Sequence, residues 1–214
     1  MNSSVASATL SSGCIYTIKQ TPVLSDKEIR ELANNGMITP FEDHLVNKEN
    51  DVPVLSYGLS SYGYDIRLSP NQCLLFGGVQ HGMCDAKNFD PEILKETELH
   101  EDERGKYFII PPYGYCLGVA VEHLALPRDV TVVAVGKSTY ARAGIMANIT
   151  PAEAGWEGHL TLEISNCTPL FNKIYANEGI CQLLFYRGEE CEVDYKTRKG
   201  KYQNQPYEVV LSKV

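Results

Sequence analysis

From Val52 onward the chain carries no long amphipathic stretch. It runs as short apolar or alternating segments cut by Gly, Pro and Asn. A chain with that texture has little choice but to bury itself as strands, because a period of two hides one face of an extended segment and leaves the other wet. The candidate strands are Asp65–Leu68, Cys73–Phe76, Tyr107–Ile110, Tyr115–Val121, Val130–Val135, Ile145–Ile149, His159–Ile164, Lys173–Ala176, Ile180–Tyr186 and Cys191–Tyr195. So many short strands predict a mainly β fold, a distorted barrel or jelly roll. One helix precedes it. At Ser25 the sequence SDKE forms a capping box with Glu28, and Ile29, Leu32 and Ala33 recur at helical spacing as far as Gly36.

With 214 residues, the chain is expected to hold one β domain over 23–195, an N-terminal extension over 1–22 rich in small polar residues, and a polar, basic tail over 196–214 that is either frayed or a lid. The acidic stretch from Asp85 to Arg104 lacks strand character and is expected to form a loop with a helical piece.

Composition narrows the function. A formal charge of −8 speaks against a broad attraction to nucleic acid or anionic lipid, so an anionic ligand would have to be held locally. No apolar run is long enough to span a bilayer and the first residues do not resemble a signal peptide, so a soluble, cytoplasmic protein is expected. Seven cysteines, none in a CxxC, are expected to be reduced and mostly buried.

Several familiar motifs fail. GKST at 136–139 ends like a P-loop, but Thr131 stands where the first Gly is required, and no GxG occurs. No His is followed two residues later by Glu and no PCxxC exists, so the zinc deaminase signature is missing.

Two segments remain. In VVAVGKSTYARAGI a strand runs into Gly136 and then a turn. If that turn is helical, Ser138 and Arg142 share a face, and Lys137 with the free N–H groups makes a local anion site. A plain strand-to-helix connection with solvated charges fits the same residues. In EAGWEGHLTLEISN, Leu160, Leu162 and Ile164 alternate with His159, Thr161 and Glu163. Glu163 is then either solvated or, in a cleft with Arg or Ser partners, a general base.

These blocks carry a resemblance. LSDKEI, SYGLSSYGYDIRL at 56–68, GKSTYARAGI at 136–145, GWEGHLTLEISN at 155–166, NEGICQLLF at 177–185 and KGKYQNQ at 199–205 occur in an order and spacing that resemble the dCTP deaminases of the dUTPase superfamily. The resemblance implies a dUTPase-like β fold assembled as a homotrimer with active sites between subunits. It implies hydrolysis of dCTP to dUTP and ammonia with no zinc, Mg2+ entering with the triphosphate. Glu163 matches the catalytic Glu, and Ser138 and Arg142 match the residues that position water or ring and orient the carboxylate. Lys137, which is Arg in some members, Thr139, Lys201 and Gln205 match triphosphate contacts. Trp156 and Tyr195 match the sugar and base surroundings, Gln182 is a further candidate of either binding or structural role, and the tail becomes a lid. At Glu153 many relatives carry Asp, which in dUTPases positions the water that attacks phosphate. That departure keeps a dUTPase or a bifunctional deaminase and dUTP diphosphatase making dUMP in play, beside a non-catalytic nucleotide-binding trimer.

Overall fold

The computed structural model describes residues 22–77, 82–148 and 150–214. The extension expected at 1–22 lies outside these residues except for Pro22, as do Cys14 and Ile149.

The first helix, α1 (Asp26–Asn34), starts as its sequence requires. The Glu28 carboxylate accepts from the Ser25 backbone N–H and hydroxyl, both at 3.0 Å, and Ile29 and Ala33 face the core. Beyond the short β1 (Ile38–Thr39), a hairpin of β2 (Leu45–Glu49) and β3 (Val52–Ser60) leads into β4 (Gly63–Phe76).

This long strand joins two segments that the alternation reads separately. Its pairing register shifts between Leu68 and Cys73, around Pro70, which has no N–H to give to a ladder. The first half therefore pairs with β3, and the second half crosses to other partners.

The acidic excursion holds a single 3₁₀ turn at Pro91–Ile93, as a loop with a helical piece would, but also two strands that alternation did not signal. These are β5 (Leu94–Glu96) and β6 (His100–Asp102), each three residues long and recruited by a stronger neighbour. Then follow β7 (Gly105–Ile110), β8 (Tyr115–Ala125), β9 (Val130–Gly136), the short α2 (Ser138–Arg142), β10 (Ile145–Asn148), β11 (Glu157–Asn166), β12 (Asn172–Tyr175) and β13 (Gly179–Arg187).

The main sheet is antiparallel, with the order β10-β11-β8-β4-β13-β9, and a smaller one runs β12-β7-β6. Since α2 ties β9 directly to β10, the two ends of the main path come back together and the sheet curls around one core. Tyr64, Phe108, Phe185 and Ile66 are sealed inside it.

Three expectations need correction. Cys191–Tyr195 forms bends and turns rather than a strand, because its acidic residues have no ladder to join and Asp194 instead accepts from the Thr197 N–H at 2.6 Å. Of the six described cysteines, all free, Cys73, Cys116 and Cys181 are buried whereas Cys84 and Cys167 are exposed. The tail is not a purely polar strap. Val209 is 9% exposed and packs with Leu117 and Val119 on the outer side of the sheet, with Leu211 beside it. Among the described residues no helix is long and apolar enough to cross a membrane.

Candidate functional site

Residue Glu163 sits in the middle of β11, opposite Leu117 of β8 on one side and Asn148 of β10 on the other. Leu162 and Ile164 are fully buried, so strand alternation turns Glu163 outward to the opposite face. A register shift between His159 and Thr161 interrupts the alternation, and Leu160 borders the same cavity as Thr161 and Glu163.

That cavity, about 340 Å³, is roofed by the tail. The Tyr202 carbonyl accepts from the Trp156 indole N–H at 2.8 Å, and the Tyr195 hydroxyl accepts from the Tyr202 N–H at 3.0 Å. The Gln205 carbonyl accepts from the His159 N–H at 3.0 Å, and its side-chain oxygen accepts from the Thr161 N–H at 3.3 Å. This approach demands Gly158, whose φ is +139°. A β-carbon there would stand 2.5 Å from the Gln205 nitrogen.

Within the cavity Glu163 is an unusual carboxylate. Its Oε2 is buried without a hydrogen-bond partner among the described residues, and burial pushes its pKa up to about 7 from 4.5. A carboxyl poised there can hold or release a proton near neutral pH.

Of the predicted residues, the fold gathers Glu163, Glu153, Trp156, Tyr195 and Gln205 around this one cavity. The others lie elsewhere in the monomer. Ser138, Thr139 and Arg142 are exposed on α2, and Arg142 folds back to donate to the Ser138 carbonyl at 3.2 Å. Lys137 is turned inward to the Asp65 carboxylate, and Gln182, opposite Asp65 across the ladder, donates to the Ser60 hydroxyl at 3.1 Å. Lys201 stays exposed beside the Tyr202 ring, outside the cavity lining. Glu153 is engaged by Arg198 of the tail.

Tyr115, Thr161 and Phe76 line the cavity but escaped sequence reasoning. Thr161 could have been found, since it stands two residues before Glu163 on the same face of the strand. Tyr115 and Phe76 could not, because neighbouring strands bring them in. Among the described residues no cluster of three His, Cys, Asp or Glu side chains suits a metal ion.

Comparison with known proteins gives a consistent result. A profile described as dCTP deaminase-like matches residues 23–188. The dCTP deaminase of Acidobacterium capsulatum is 50% identical over 184 residues, covering 86% of this chain and 94% of the relative. That of Wolbachia pipientis wMel is 52% identical over 187 residues, covering 86% and 94%. Among solved structures, the 2'-deoxycytidine 5'-triphosphate deaminase of Agrobacterium tumefaciens superposes with a TM-score of 0.55 at 19% identity, over 79% of this chain and 49% of that one. This chain thus spans about half of that protein, and the likeness concerns the fold.

Proposed function

The chain belongs to the dCTP deaminase-like family, and from that premise we propose that it hydrolyses dCTP to dUTP and ammonia. The observation that carries the reading is Glu163, half-buried, with one unpartnered oxygen and a pKa near neutrality, in a cavity that also holds Trp156 and the tail.

In this mechanism Glu163 takes a proton from water, and the hydroxide adds to carbon 4 of cytosine. The carboxyl hands that proton to ring nitrogen 3, then takes the proton of the new hydroxyl on carbon 4 and passes it to the amine, so that the C–N bond breaks as C=O forms and ammonia leaves. A carboxyl of ordinary acidity would be a weaker base for water. One matched to neutral pH serves both halves of the cycle.

Stabilising the ionised carboxylate and the tetrahedral intermediate calls for a donor to the Glu163 Oε2, which has no hydrogen-bond partner among the described residues. Ser138 and Arg142 would supply such donors from a neighbouring subunit of a homotrimer, the hydroxyl positioning water and the guanidinium orienting the carboxylate. Exposed Val133, Val135 and Met146, on strands flanking α2, are apolar surface that such an assembly would cover. Thr139, Lys201 and Gln205 would hold the triphosphate, whose Mg2+ would arrive as part of the substrate, and Lys137 would join them only by leaving the Asp65 carboxylate that it meets in this structure. Trp156 and Tyr195 would flank sugar and base.

Glu153 borders the cavity, which keeps a bifunctional deaminase and dUTP diphosphatase as a second reading. Incubation with dCTP, following ammonia and pyrophosphate together, separates the two. Ammonia alone supports the deaminase, both products support the bifunctional enzyme, and neither refutes both. In Glu163→Gln, deamination should fall by at least ~10² to 10⁴ while nucleotide binding largely persists. Turnover near that of the parent protein would sink the assignment.

A further inference from the structure

Beyond Glu163 the cavity does not end at polar groups. It continues against an apolar wall made by Phe76, Phe89, Leu117 and the ring of Tyr115. Phe76 meets Phe89 edge-on with centroids 6.1 Å apart and Tyr115 edge-on at 5.3 Å. Three elements build it, namely the end of β4, the acidic excursion and β8, and Leu117 lies directly opposite Glu163 in the ladder. Backbone pairing therefore fixes Tyr115 and Leu117 relative to the carboxylate and Phe76 at the end of β4 beside them, while Phe89 closes the wall from the connection after β4.

We propose that this wall receives the C5–C6 edge of the pyrimidine and leaves room for a substituent on carbon 5, so that 5-methyl-dCTP is a substrate beside dCTP. The inference rests on the deaminase reading and extends it to substrate range. Cytosine has three hydrogen-bonding positions on its rim, the 4-amino group, nitrogen 3 and oxygen 2, and one edge without any, C5–C6. Setting nitrogen 3 or oxygen 2 against Phe76 and Leu117 would strand an acceptor in an apolar surface. Setting C5–C6 there strands nothing.

The position also agrees with the chemistry. Carbon 4, on which Glu163 would act, is bonded to nitrogen 3 and to carbon 5. With Glu163 serving nitrogen 3 and the amine, carbon 5 is the neighbour left to face the wall. A methyl group at that point gains apolar contact and takes no hydrogen bond from the protein. The reaction balances as for the parent substrate. Water adds at carbon 4, ammonia leaves, and the product is the 5-methyluracil deoxynucleoside triphosphate, which is thymidine triphosphate.

The test is to measure kcat/KM for dCTP and 5-methyl-dCTP on the full-length protein, following ammonia. A value for 5-methyl-dCTP within about tenfold of that for dCTP supports the proposal, since a pocket closed at carbon 5 would reject an extra carbon by up to about 200-fold. Any larger gap overturns it while leaving the deaminase reading intact. Turnover of neither nucleotide overturns both. Phe89, half-buried on a surface connection, can be truncated at little risk to folding. In Phe89→Ala the preference for 5-iodo-dCTP over dCTP should rise several-fold, and the ratio cancels any effect common to both nucleotides. A ratio that does not move shows that the wall does not meet carbon 5.

Discussion

The ammonium of Lys137 lies 2.5 Å from the Asp65 carboxylate, and the two side chains are only 11% and 7% exposed. The pair ties the residue just before α2 to β4 in the centre of the curled sheet, so the turn carrying Ser138 and Arg142 has a rigid foundation. Asp65 itself is raised in pKa by burial, against which Lys137 works.

Removing one partner of a buried pair leaves the other charge uncompensated. Asp65→Asn should cost about 3–5 kcal/mol in urea unfolding, and the double variant Asp65→Asn with Lys137→Met should recover most of it. Equal stabilities for the single variant and the parent would show that the pair contributes nothing.

Burial of Glu163 has a consequence for stability whose sign is fixed. Its carboxyl titrates at about 7 in the fold against 4.5 in an unperturbed chain, so the native state holds a proton that the unfolded chain has already released. Stability from this group is full below 4.5 and is lost as pH rises toward about 7. Glu163→Gln, permanently neutral, should melt with the parent near pH 4 and above it near pH 8. A difference that is the same at both ends contradicts the buried-carboxyl account.

The tail should report on itself through Trp156, the one tryptophan of the chain, whose indole N–H is held by the Tyr202 carbonyl. Gly158→Val places a side chain where the Gln205 backbone passes. Trp156 emission should then shift to the red and the KM for dCTP should rise, whereas an unchanged spectrum would mean that the tail still docks. Truncation after Tyr195 should also lower stability, because burying a side chain such as Val209 is worth roughly 1.5–3 kcal/mol.

Mixing two inactive variants tests the assembly. Glu163→Gln and Arg142→Ala, each with little activity alone, should regain part of it when co-refolded, since some sites would then combine an intact Glu163 with an intact Arg142 from another subunit. No regain at any ratio would count against shared sites.

Zinc-selective chelation should leave deamination unaffected, while withdrawal of Mg2+ should raise the KM for dCTP through the triphosphate. Loss of activity on zinc removal, restored by zinc, would overturn the metal-free mechanism.

Local physics is what the sequence carries on its surface. The capping box at Ser25 and Glu28, the alternation through Leu162, Glu163 and Ile164, and the break after Gly136 each depend on neighbours within a few residues, and each was legible. The short strands Leu94–Glu96 and His100–Asp102 were not, because they pair only where β4 and β7 already offer a ladder. Nor was the inward turn of Lys137, which depends on Asp65, 72 positions away. By itself the sequence determined a curled β fold with an acid on a polar strand face. Only tertiary structure decided that this face would be roofed by Tyr202 and Gln205 and walled by Phe76 and Tyr115, and so desolvated. The physical reason is that period and capping are properties of adjacent residues, whereas the desolvation that lifts a carboxyl toward neutrality is a property of whatever distant segments close over it.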